Sequence, residues 1–429
     1  MKDRELFERL LKEVELPDFS LMEMRQDQPQ LTDIKAALAE ELKHCTAMRK
    51  IKKDDTVAIA MGSREINGLA DIAETLIGIL KEKGAAPFIV PAMGSHGGAT
   101  AQGQKDVLYH LGITEERLGV RIASSMETEE IGTSNQGFPV CMDSLAFHAD
   151  HIIPIARIKA HTEFRGPYES GILKMLVIGL GKQYGASICH KLGFPNMSRN
   201  LQEFGKVILE NAPVLMGIGV IENAGHRVAR IEAIPGEEIL EKEPGLLRYS
   251  KSLLPRIPFD HLDVLLVQEM GKEISGAGMD TNITGRSCVL GEDWPHAEKI
   301  CVWDLTEKSG GNAAGMGNAD VITERLHKKI DFTPVYVNAV TCHDTQGIRL
   351  PVVMETDELA LRMCLYTCIR RDATRNPRIV MIKNTADLRQ IYISEALLEE
   401  AGHVEQPQML KYVGSMEFVD GGFKGFRRR

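Results

Sequence analysis

Apolar positions arrive in two rhythms along the chain. "TVAIAM", from Thr56 to Met61, is a continuous apolar run that ends on a Gly-Ser turn. Residues 67–83 then place Leu69, Ile72, Leu76, Ile79 and Leu80 on one helical stripe closed by Gly84, and "APFIVPAMG" follows as a second buried strand. Strand, helix and strand in that order predict a βαβ unit and hence a parallel sheet. "DHIIPIARIKA" reads as a third strand, and "VLMGIGVIEN" and "VARIEAIP" as two more joined by a short turn. A Pro-flanked helical stretch over residues 237–258 reads as a connector, after which the pattern restarts. "HLDVLLVQEM", "KICVWDL", "TPVYVNAV" and "PRIVMIKN" read as strands, with helices at "NADVITERLHKKI" and "TDELALRMCLYTCIRR". The reading is two α/β domains: a larger N-terminal one with a parallel sheet over residues 1–258, and a smaller C-terminal α/β domain over residues 259–429. The active site is expected in the cleft between them.

Two strands of the first unit end in the same four letters, "AMGS", followed by Arg64 in one case and His96 in the other. Strands of a parallel sheet point the same way, so both side chains emerge at the carboxyl edge, where α/β sheets bind ligands. The third strand delivers His161 to a comparable place. Arg64, His96 and His161 are therefore expected to converge. An arginine holds a carboxylate bidentately. Two histidines around a small anion serve as acid and base on opposite faces, because imidazole titrates near neutral pH. That is what a racemase or epimerase requires. A hydrolase would need a nucleophile elbow or a metal-bound water, and neither G-x-S-x-G nor H-E-x-x-H occurs. The glycines after His96, with Thr100 opening a helix, also offer a seat of backbone N–H groups for a phosphate.

Composition narrows the class. With 51 Lys and Arg against 60 Asp and Glu, the net charge of −9 argues against a nucleic-acid or anionic-membrane surface. No apolar run approaches the roughly 20 residues of a membrane span, and the N-terminal "MKDRELFERLLKEVELPD" is a charged amphipathic pattern, so a cytoplasmic location is expected. Eight dispersed cysteines without a C-x-x-C read as reduced and structural.

"HTEFRGPYESGILKMLVIGLGKQYGASICH" poses the sharpest question, because Lys174 stands at the head of an apolar run where a free ammonium is costly to bury. Together with "GSR", "GSHGG" and His161, this segment resembles the nickel-dependent lactate racemase (LarA-like) family of 2-hydroxyacid racemases and epimerases. In that family a lysine carries a nickel-pincer nucleotide, and a histidine sixteen residues downstream ligates the nickel; here Lys174 and His190 are sixteen apart. The resemblance implies that Lys174 is consumed as an amide or thioamide to the pyridinium-3,5-bisthiocarboxylic acid mononucleotide. It further implies that His190 presents a neutral nitrogen to square-planar Ni(II), that His96 and His161 are the paired acid/bases, and that Arg64 steadies the substrate. It also implies partner proteins that make and load the cofactor.

The chain departs from lactate racemases where they carry Arg-Pro after the first catalytic histidine; Gly97 and Gly98 stand here. The lysine is also preceded by "SGIL" rather than a Gly-Gly pair nearer the second histidine. A larger 2-hydroxy acid, such as a sugar (aldonic) acid, is therefore expected in place of lactate. Two alternatives use the same residues: a divalent-metal-dependent lyase or hydrolase of a sugar acid, and a non-catalytic carrier of the nickel cofactor. Lys182 is a rival lysine at the wrong spacing, read as a phosphate contact. Lys272, Asp280, Asn282 and Arg286 lie in Gly-rich loops that could close over substrate, and the adjacent Cys342 and His343 are discounted as a metal pair.

Overall fold

The computed structural model describes residues 4–24, 27–191, 193–370, 372–404 and 407–428. It divides into two compact units, Gln28–Leu254 and a second made of Met1–Asp27 with Pro255–Arg429.

The Gln28–Leu254 unit is built on a five-stranded sheet. In chain order its strands are β1 (Thr56–Met61), β2 (Ala86–Pro91), β3 (His151–Arg157), β4 (Met216–Glu222) and β5 (Val228–Pro235). The spatial order is β2-β1-β3-β4-β5; β5 runs antiparallel to β4, and the other neighbours are parallel. The central strands are buried along almost their whole length, as their unbroken apolar runs require of a covered parallel sheet. Helix α1 (Leu69–Glu82) buries Leu69, Ile72, Leu76 and Leu80 in the same core as Val57 and Ile59 of β1. Helices α2 (Ala101–His110), α3 (Lys182–Lys191), α4 (Met197–Asn211) and α5 (Ile239–Ser252) complete the framework that matters for the site.

The other unit holds a nine-stranded sheet that is parallel around His261–Met270, which pairs with His296–Leu305 and Ile379–Ile382. Its antiparallel part includes Asp18–Met24, inserted between Gln390–Ser394 and Pro407–Val419. This differs from the sequence expectation, which put residues 1–27 with the N-terminal domain. Only Phe19, Ser20 and Met22 of that strand are buried, and a pairing with Ser394 leaves no local trace in the sequence.

Two further elements differ. "TPVYVNAV" is not a strand but part of a helix, Phe332–Cys342. Its β-branched residues favour a strand, yet the Asp331 side chain accepts from Thr333 N–H as an N-cap, and Pro334 sits in the first turn, where no intrahelical N–H is needed. "NADVITERLHKKI" begins as a strand, Val321–Thr323, before Thr323 caps the short helix Glu324–Lys328. No helix among the described residues is long and apolar enough to cross a membrane. No disulfide joins any of the eight cysteines.

Candidate active site

The register of the parallel strands sets where the side chains emerge. Met61 of β1 faces Pro91 of β2 and Ile155 of β3, so β1 and β2 end together and β3 runs two residues further. Arg64, His96 and His161 follow those ends by three, five and four residues. Ser63 Oγ makes a short hydrogen bond to His96 Nδ1. Arg64 keeps solvent access; desolvation and the nearby Arg157 cation lower its pKa, although a guanidinium stays protonated regardless. Arg157 itself is held by Glu222 at 2.7 Å, which also accepts the Asn67 N–H at 2.7 Å.

The His96 loop is pinned from beneath. Gln104 of α2, fully buried, donates to the carbonyls of Gly94 (2.8 Å) and His96 (3.3 Å). Its own oxygen accepts from Lys182, whose ammonium also reaches the Pro91 carbonyl at 2.5 Å and Asp143 at 3.2 Å. Burial pushes the Asp143 carboxyl up and the Lys182 ammonium down, and each charge opposes the shift of the other. Lys182 is thus a structural cation wholly inside the protein, not the phosphate contact expected of it. Gly97 has φ +65°, and a Cβ there would fall 2.5 Å from the Gly103 carbonyl carbon, so only glycine fits this turn.

His161, Lys174 and His190 form one cluster around two phenylalanines. The His161 ring stacks on Phe164 with centroids 4.0 Å apart, and the Lys174 ammonium lies 5.7 Å from the same ring. Phe194 lies 6.5 Å from the His161 ring and 6.2 Å, edge-on, from that of His190. His161 Nδ1 accepts the Glu163 N–H at 3.1 Å, which puts the proton of the neutral ring on Nε2. Burial, then the charges of Lys174, Lys159, His190 and Arg165, drive the His161 pKa well below its usual value. It is neutral at pH 7. His190 Nδ1 lies 2.8 Å from the Ala186 carbonyl oxygen and donates to it, so the lone pair sits on Nε2. That is the tautomer a metal needs.

Lys174 ends a short helical turn, Ile172–Lys174, that runs into a widened π-type turn, Met175–Gly179, closed by Leu180 N–H to Met175 O at 2.9 Å. This segment packs on the strand ends. A Cβ on Gly62 would lie 2.9 Å from Met175 Cε, and Gly94 N–H donates to Gly179 O at 3.1 Å. The turns that lead into Arg64 and His96 thus touch Met175 and Gly179 of the segment that follows Lys174. Lys174 itself is half-buried, and the neighbouring Cys189 thiol is pushed up to about 12 by burial, which makes it no competitor as a thiolate.

Several residues here escaped sequence reasoning. Glu169 and Glu243, both buried, accept backbone N–H groups beside His161 and Lys174. Glu169 lies in the quoted segment but carries no motif; Glu243 is remote in sequence and signals nothing locally. The second unit's candidates have local partners: Asp280 caps Thr281–Thr284, and Arg286 pairs with Asp320 and the Ala297 and Glu298 carbonyls. Cys342 and His343 close a helix rather than occupy a strand. Among the described residues, one group of three donors is spaced to hold a metal: Asp260, His261 and His296, in the second unit. It is exposed or half-exposed, Asp260 already hydrogen-bonds His296 at 2.7 Å, and it includes none of the residues above.

Residues 6–200 match the family model described as lactate racemase N-terminal domain. No curated protein matches the chain. Among solved structures, the lactate racemase apoprotein from Thermoanaerobacterium thermosaccharolyticum superimposes with a TM-score of 0.55 at 11% identity, covering 85% of this chain and 98% of that one. The two share the architecture of two α/β domains.

Proposed function

We propose, from the match of residues 6–200 to the lactate racemase N-terminal domain, that the protein is a nickel-pincer-nucleotide-dependent racemase or epimerase inverting C2 of a 2-hydroxy acid. The observation that carries this reading is the cluster of His161, Lys174 and His190 on Phe164 and Phe194, with His190 fixed in the metal-binding tautomer by Ala186.

The residues present suit the cofactor. Lys174 is a half-buried amine against an aromatic face, and converting it to an amide would remove a charge that lies among other cations. His190 offers Nε2, a nitrogen donor of the kind Ni(II) accepts alongside soft sulfur ligands. The pincer nucleotide, when bound, supplies an acceptor and return donor for the C2 hydrogen with its electron pair, which spares the enzyme a carbanion.

What remains for the chain is binding and proton handling. Arg64, beside the strand ends, holds the substrate carboxylate. His96 takes the hydroxyl proton at one ring nitrogen while Ser63 steadies the other. His161, neutral with its proton on Nε2, donates a hydrogen bond to the substrate oxygen from its own side, and the proton taken by His96 is the one returned to that oxygen when the C2 hydrogen comes back on the other face. Phe164 and Phe194 limit water around these groups and strengthen each polar contact. A Cβ on Gly98 would meet open space, and this room beside His96 supports a sugar acid over lactate. The lyase alternative gains no support, because the candidate histidines do not gather into a three-donor metal group among the described residues.

The test is to load the protein through co-produced cofactor-making enzymes and screen 2-hydroxy acids, aldonic acids included, deuterated at C2. The expected product is the C2 epimer with its deuterium retained in ordinary water. Washing-out of the label at the rate of epimerisation would contradict the reading.

A further inference from the structure

Helix α5 lies far along the chain from every candidate residue, yet three of its groups tie down the segment that carries His161 and Lys174. Glu243, only 1% exposed, accepts the Leu173 N–H at 3.0 Å, immediately before Lys174. The Ile172 N–H lies near the same carboxylate and favours its charged form. A Cβ on Gly171 would lie 2.0 Å from Glu243 Oε1, so the chain makes room for this carboxylate with a glycine. Lys251, two turns on, binds Glu169 at 2.6 Å, and Glu169 accepts the backbone N–H of His161 at 2.7 Å and of Gly166 at 3.1 Å. One turn before Glu243, the Leu240 carbonyl accepts from Tyr168 OH at 2.6 Å.

We propose that α5 is the positioning element of the site, with Glu243 fixing the turn that presents Lys174 and Lys251, through Glu169, fixing the backbone of His161. A carboxylate buried without a cation is costly, and an apolar side chain would pack there more cheaply. Burial indeed pushes Glu243 up to about 7. Its backbone contact accounts for its presence: it satisfies the Leu173 N–H in the first turn of a helical segment too short to hold it by its own hydrogen bonds. The inference deepens the functional reading, because it assigns positioning residues to that site.

The experiment compares full-length wild type with Glu243→Gln, Glu243→Ala and Lys251→Met, with folding checked by circular dichroism. A short acetic anhydride pulse followed by peptide mass spectrometry reads the reactivity of Lys174 against Lys35, a remote surface amine. Proton NMR reads the titration of His161 in each variant against wild type. Expected are a change of about threefold or more in Lys174 acetylation in Glu243→Ala, its restoration in Glu243→Gln, and a shift of about half a pH unit for His161 in Lys251→Met. Lys35 should stay put. Unchanged Lys174 and His161 in folded variants, or an equal change at Lys35, would overturn the proposal; should Glu243→Ala fail to fold, Lys251→Met still decides. In loaded enzyme, kcat should fall about tenfold with KM little changed. Acetylation and titration need no turnover, so a wild type that epimerises nothing would count against the functional reading and leave the positioning proposal to be judged on them.

Discussion

His190 Nδ1 lies 2.8 Å from the carbonyl oxygen of Ala186, one helical turn earlier, and that single bond decides which ring nitrogen can meet a metal. The carbonyl accepts the Nδ1 proton, so Nε2 keeps its lone pair without any rearrangement. Replacing His190 by alanine should lower nickel retention of loaded protein about tenfold or more, read by metal analysis after gel filtration. Circular dichroism should be unchanged, since α3 loses one half-buried ring. Full retention in His190→Ala would remove this residue from the metal site.

Lys174 is the nearest large influence on His161 after burial itself. The folded-state pKa is depressed, so the neutral ring is favoured, and the stability it lends is lost as pH falls through the unfolded-state value near 6.5. Lys174→Met removes a cation and should raise the His161 titration midpoint, measured by NMR of the ring protons. Acylation of Lys174 in wild type should act the same way. A midpoint that does not rise would mean the two side chains do not sense each other in solution.

Legibility from sequence divides along physical lines. The five strands of the first sheet and helix α1 were readable because each is a local apolar rhythm, and the parallel register then followed from their order. Lys174 and His190 were singled out through the family likeness alone, since nothing in composition tells a modified lysine from a snorkelling one. The structure adds that the lysine truly interred is Lys182, which the sequence disguised as part of a glycine turn. Glu243 and Lys251 were illegible because their partners are backbone N–H groups and a carboxylate brought near by tertiary folding. Asp18–Met24 was misassigned for the same reason: a short strand does not announce which sheet will take it.

Lys182 and Asp143 are both fully buried, 3.2 Å apart. Lys182→Met should therefore destabilise the protein by about 3–5 kcal/mol, because it strands a carboxylate in the interior. Denaturant unfolding measures it. Lys182→Met combined with Asp143→Asn should recover part of the loss, since the amide oxygen can keep the cap on Ala146 N–H. A single variant within about 0.5 kcal/mol of wild type would mean the pair carries no net stability.

Glu243 gives a pH signature. Its carboxyl is raised from 4.5 to about 7 in the fold, so its contribution is full below 4.5 and is lost as pH climbs towards 7. Across that window wild type should lose roughly 3 kcal/mol relative to Glu243→Gln, which does not titrate. Parallel unfolding curves for the two proteins from pH 4 to 8 would contradict the burial argument.

Attachment of the cofactor to Lys174 can be read from the chain's own mass. Protein co-produced with the cofactor-making enzymes is digested, and the peptide spanning residues 172–182 is weighed. A nucleotide-sized increment on that peptide is expected, absent in Lys174→Met. An unmodified Lys174 in a preparation where a lactate racemase is loaded in parallel, or the increment on another lysine, would contradict the assignment on which the rest stands.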